Sequence, residues 1–165
     1  MVTAATQDGR VSTLEAVLSY RNDNVLDSFC ESFEVSREDA EDIFRETLRF
    51  LWLSTNYRAE FLQSIDRPIL IIDEMWHTFI LFTKEYHEFC SRMFGHYMHH
   101  TPTTVSEKKR LRSEMNDARL TALREEKKKR YSMIYDLLGR DVFIKWYYEF
   151  PERFSPRRIR EMRRK

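Results

Sequence analysis

Turn-forming residues are scarce in this chain, with three glycines and four prolines in 165 residues. Sheet proteins need a tight turn between most neighbouring strands, and glycine and proline supply the backbone angles for many of them. Their shortage argues against a β-architecture. Cysteine is rarer still: Cys30 and Cys90 stand sixty positions apart, which excludes a CxxC motif and predicts free, buried thiols of a reducing compartment. Apolar runs are short as well. The longest, PILII from Pro68, is far below the ~20 residues a membrane helix requires, so no membrane span is predicted. The opening MVTAATQDGRVST is polar and lacks the apolar segment of a secretory leader, so a cytoplasmic protein is expected. Glycine-rich phosphate loops, GxSxG and HExxH are missing too, which removes three ready-made chemistries.

What remains favours helices. Hydrophobic residues make up 42%, charged residues 33% and aromatic residues 14% of the chain, a composition of long helix-compatible side chains with large rings to lock them together. The apolar spacings predict an all-α single compact domain over 1–154, built of about six helices around a buried central helix, Pro68–Met93. Ser12, Asn24, Ser36, Thr104 or Ser106, and Asp141 are the expected N-caps, and Gly95 and Gly139 the expected stops. A further turn is expected between Asn56 and Ser64. The segment 104–138 reads as one long helix or two, with a solvated middle at REEKKKR. Residues 155–165, SPRRIREMRRK, are expected to form a basic, flexible tail.

Charge is unevenly distributed along the chain. From Glu107 onward there are nineteen Lys/Arg against ten Asp/Glu, whereas the first 106 residues carry nine against seventeen. A basic C-terminal half therefore follows an acidic N-terminal one, and it offers a surface for an anionic partner.

All five histidines, His77, His87, His96, His99 and His100, fall in one stretch with Asp73. Asp73 and His77 are four residues apart, about 40° around a helix, the spacing by which one helix gives two ligands to one metal. His96 and His100 would form a second such pair if the helix continued past Gly95. If the chain turns there, only one of His99 and His100 meets the ion. A carboxylate with two imidazoles suits zinc, iron(II) or another divalent transition metal and leaves a coordination position open. The plainer alternative is that Asp73 and His77 satisfy hydrogen bonds within the core.

The string DEMWHTFILFTKEYHEFC, then Gly95, then HHTP, resembles a group of small bacterial proteins sharing D-E-x-W-H-x-F-I-x-x-T-x-x-Y-x-x-F-C…G…H-H-x-P, and more distantly the D-x-x-W-H segment of plant glycine-rich domain-containing proteins. The resemblance spans about Arg49 to Pro102. It implies that Asp73, Trp76, His77, Tyr86, Cys90, His99 and His100 are the positions that matter, and it favours His99 and His100 over His96. Two functions fit these readings. One is a metal-dependent hydrolase or oxidase, with Asp73, His77 and His99 or His100 as ligands and Tyr86 assisting catalysis by hydrogen bonding. The other is a non-catalytic protein-interaction or effector-type module whose basic C-terminal half binds a protein or anionic partner.

Overall fold

The computed structural model describes residues 11–57 and 65–164. Most of the turn expected between Asn56 and Ser64 lies outside the described residues, as does the start of the chain. The described residues are helical and contain no strand, and one isolated antiparallel bridge joins Phe33 to Arg163. None of these helices is long and apolar enough to cross a membrane.

Three helices open the chain: α1 (Leu14–Leu18), α2 (Asp23–Ser32) and α3 (Arg37–Asn56). The caps of α1 and α2 differ by a residue or two from the sequence expectation. Thr13 rather than Ser12 accepts from Ala16 N–H, and Asn22 rather than Asn24 accepts from Val25 N–H. The earlier start of α2 puts Asp23 in its first turn, where a negative charge meets the positive end of the helix dipole. Ser36 caps α3 as expected. Helix α3 is enclosed on several sides, burying Ile43, Leu48, Phe50 and Leu51 along with the polar Glu46 and Thr47.

The expected Pro68–Met93 helix is present but divided. A 3₁₀ turn (Arg67–Ile69) leads into α4 (Leu70–Leu81), and α5 (Thr83–Phe94) follows after a bend at Phe82 (φ −83°, ψ 64°). The apolar periodicity runs through the bend, so sequence spacing alone shows an unbroken helix. On a straight helix Trp76 and Tyr86 would stand about 15 Å apart along the axis. Here the Trp76 indole donates to the Tyr86 hydroxyl at 2.9 Å, and Phe79 meets Tyr86 edge to face at 5.0 Å. Folding α5 back toward α4 is what makes these contacts reachable. Gly95, at φ 74°, then ends α5 in the left-handed conformation that costs glycine least.

Beyond it lie α6 (Val105–Ser113) and α7 (Asp117–Leu138), separated at Asn116, whose side chain caps α7. Thr104 and Glu107 form a capping box on α6. A composite helix, α8, occupies 140–153, with helical ends (Arg140–Ile144 and Phe150–Arg153) around a π turn (Lys145–Glu149). Gly139, not Asp141, precedes its first turn. The segment 155–165, expected as a flexible tail, contains α9 (Pro156–Met162), capped by Ser155. Ile159 of α9 is buried, and Arg163 just beyond it forms an ion pair with Glu74 at 2.7 Å and lies over the Phe33 ring. One apolar residue inserted into the core and one well-placed guanidinium outweigh the polarity that made this segment look unpackable.

Helix α8 is fastened to α3 through a buried charge. Glu46, only 2% exposed, accepts from the Trp146 indole at 2.8 Å, and Arg49 and Lys145 lie 3.0 and 3.7 Å from its carboxylate. Lys145 also reaches Asp42 at 2.7 Å. Removing one partner from a buried cluster strands the others, at a cost of about 3–5 kcal/mol. Glu46→Ala is therefore expected to lose that much in urea unfolding. Asp23→Asn, on the exposed cluster around Arg37, should lose less than about 1 kcal/mol. Equal losses at the two positions would show that the Glu46 cluster does not hold α8 to α3.

Candidate metal centre

Helix α4 buries Ile71, Ile72, Met75, Trp76, Thr78 and Phe79. That face fixes the helix rotation and leaves Asp73 and His77, one turn apart, on the opposite edge. Asp73 is a quarter exposed and His77 half exposed. The third member arrives from the segment after Gly95. His100 Nε2 lies 2.8 Å from Asp73 Oδ1, and His77 Nδ1 lies 3.8 Å from Asp73 Oδ2. The two imidazoles are 4.5 Å apart, centre to centre. Among the described residues, Asp73, His77 and His100 are brought together so that one donor atom from each lies within 4.8 Å of the others.

His100 is held from behind. Its ring meets Trp76 edge-on at 4.4 Å, and Trp76 donates to Tyr86, whose own hydroxyl donates to the Met98 carbonyl at 2.7 Å. Met98 sits two residues before His100, so this chain of bonds sets the path of the backbone that delivers the imidazole. Tyr86 is fully buried, and its hydroxyl meets the Trp76 indole, the Met98 carbonyl and the Cys90 thiol. The structure therefore places it behind Trp76, on the side of that ring away from solvent. Sequence reasoning marked Tyr86 as a candidate catalytic group because spacing shows that a tyrosine is near but not which way its hydroxyl points.

The other expected residues are placed elsewhere. His99 is exposed and packs edge-on against Tyr97 at 4.8 Å, outside the donor group. His96, also exposed, donates from Nδ1 to the Phe94 carbonyl at 3.0 Å. His87 is exposed and stacks on Tyr97. Cys90 is buried, and burial pushes its thiol pKa up, which disfavours a nucleophilic thiolate. Cys30 is half-buried and shifted the same way for the same reason. The role of Met98 had no signal in the sequence, because a backbone carbonyl leaves no trace in residue identity.

Donor atoms around a tetrahedral ion at ~2.0–2.1 Å from each lie roughly 3.4 Å apart. The separations found here, 2.8 Å from His100 to one Asp73 oxygen and 3.8 Å from His77 to the other, are of that order. The set is two imidazoles and one carboxylate, with half-exposed His77 facing the open side. A family model described as UCP032817-like matches residues 16–130, a span that includes all three donor residues. No curated protein and no solved structure matches the chain.

Burial is also the main cause that pushes the Tyr86 hydroxyl well above the ordinary tyrosine range. A group whose folded pKa is raised contributes stability that is complete below its unfolded value, about 10 for tyrosine, and is lost as pH rises toward the folded value. Alkaline unfolding is accordingly expected to set in above about pH 10. Tyr147, raised by burial as well, acts in the same direction, so Tyr86→Phe should blunt this transition without abolishing it. At neutral pH the same substitution leaves the Trp76 N–H and the Met98 carbonyl without their partner, a loss of about 1–3 kcal/mol. Chemical denaturation at pH 7 and pH 10.5 tests both expectations, and an unchanged neutral-pH stability would show that the Trp76–Tyr86–Met98 chain carries no load.

Proposed function

This chain belongs to the UCP032817-like family, and we propose that it holds one divalent transition-metal ion on Asp73, His77 and His100 and acts as a metal-dependent hydrolase or oxidase. The observation that carries this reading is the convergence of three donor atoms, from residues 27 positions apart in the chain, within 4.8 Å. A carboxylate with two imidazoles suits zinc as well as iron(II), and both usually keep open positions in such a set. Bound there, the ion would supply an activated water or a site for dioxygen.

The protein's own part follows from the geometry. Asp73 contributes the anion. His100, now donating Nε2–H to Asp73, would move that proton to Nδ1 and turn the freed lone pair toward the ion. Trp76 limits the rotation of the His100 ring, and Tyr86 holds Trp76, so Tyr86 acts as a positioning residue. His77 completes the set from the solvent side. Partners of this kind, one step behind the ligands, commonly change metal affinity 10–100-fold when removed.

A second reading has its own support. Helix α6 and the first half of α7 bury no residue, although Leu111 on α6, Met115 between the two helices and Leu120 on α7 are 37–45% exposed. Such a surface suits a non-catalytic interaction or effector-type module, in which the Asp/His group serves only to knit α4 to the segment after Gly95.

Metal analysis of untagged protein separates the two. Under the first reading, zinc or iron(II) is expected near one per chain, or restorable to that level. Saturation at a hundred times Kd stabilises by about 2.7 kcal/mol, roughly 5–11 °C in a domain of this size. A strong chelator should therefore lower the melting temperature of the wild type by that amount. His77→Ala, His100→Ala and Asp73→Asn should each abolish the chelator effect, while His87→Ala should leave it intact. A metal-free wild type that zinc or iron(II) neither loads nor stabilises would leave only the interaction module.

A further inference from the structure

We propose that the substrate brought to the Asp73–His77–His100 site is a nucleic-acid duplex, gripped along its phosphates by helix α6. The proposal rests on the metal reading for the chemistry at the site, but duplex binding can be measured without it.

The site faces open surface: His77 is 49% and Asp73 25% exposed. A group on a large polymer can therefore reach it. The chain runs from His100 straight to the Thr104 cap of α6, and four residues span at most about 14 Å. Duplex DNA carries one charge per ~1.7 Å of axis, and a duplex lying on the start of α6 would run within about 14 Å of His100.

Helix α6 separates its charges. At 3.6 residues per turn, Val105, Lys108, Lys109 and Arg112 share one face. Glu107 and Glu114 lie on the other side, and both are already engaged. Glu107 accepts from the Thr104 backbone and hydroxyl, and Glu114 pairs with Arg110 at 3.8 Å. Lys108, Lys109 and Arg112 are exposed and form no ion pair among the described residues. An exposed row of cations with the helix's own acids turned away is complementary to a row of phosphates.

Other anionic partners fit less well. A helix lying on a membrane needs a continuous apolar stripe, but Leu111 stands about 120° from Val105 around α6. Single strands are usually gripped by stacked aromatics, and residues 105–130 contain none.

The test is fluorescence anisotropy of the full chain on a labelled 20-base-pair DNA duplex across a salt series, with metal content measured in parallel. The wild type is expected to bind, with an affinity that falls steeply as salt rises. The variant carrying Lys108→Gln, Lys109→Gln and Arg112→Gln should bind at least tenfold more weakly, with a salt slope shallower by about one per cation removed, and its metal content should be unchanged. In diethylpyrocarbonate labelling of metal-stripped protein, where no ion shields the imidazole, the duplex should protect His77 in the wild type but not in that variant. His77→Ala should lose metal and keep duplex binding. Loss of neither metal nor binding in His77→Ala would overturn the metal reading alone. The duplex proposal is overturned if the wild type fails to bind DNA at low salt, if the triple variant binds as well as the wild type, if His77 is not protected, or if anionic vesicles or a polyglutamate chain compete as well as DNA.

Discussion

The Tyr86 hydroxyl carries more of this architecture than any other polar group near the candidate centre. It receives the Trp76 indole N–H on one side and donates to the Met98 carbonyl on the other. Each bond alone has a modest net value, on the order of 1 kcal/mol, but both lie where an unmade bond would leave a polar group stranded. They tie three segments together: α4, which carries Asp73 and His77, α5, which carries Tyr86, and the irregular chain that carries His100. The bend at Phe82 makes this possible, and so the donor group depends on a backbone feature nine residues from Asp73.

The division of labour across the molecule follows from burial. Behind the donors lie rings without charge: Trp76, Phe79, Tyr86 and Phe89. The fully enclosed carboxylate, Glu46, is elsewhere, balanced by Arg49, Lys145 and the Trp146 indole. Asp73 is placed at the rim instead, where partial solvation lowers the cost of an ionised carboxylate and leaves it able to attract a cation. A donor group with one half-exposed member is open to solution, whereas a group buried as deeply as Glu46 is not. The exposure of α6 extends the same logic outward, since Lys108, Lys109 and Arg112 on it are exposed and form no ion pair among the described residues.

Helical caps show how local chemistry and packing share control. Ser36 and Gly95 act where residue type and position point, because each requirement is met within a few residues of chain. Thr13 and Asn22 replace their neighbours as caps because packing of the following helix chooses which of two capable side chains stands at its start. The basic segment after Ser155 is helical for a reason that is entirely non-local. Ile159 finds the core, and the backbone of Glu34 donates to the Met162 carbonyl across more than a hundred residues.

The amino-acid sequence by itself determined the helical class, the stops at glycine and the crowding of Asp73 and all five histidines into one stretch. These are properties of composition and short spacing, and the physics behind them acts within one or two helical turns. It also placed Asp73 and His77 on one edge, since four residues on a helix leave no other arrangement. Which histidine completes the group was decided only in three dimensions. His96, His99 and His100 are equivalent by type, and the bends at Phe82 and Gly95, with the Tyr86 bond to the Met98 carbonyl, select the last of them and leave His99 exposed. The direction of a side chain after a bend is the sum of every backbone angle before it, and no local pattern in the residues encodes that sum.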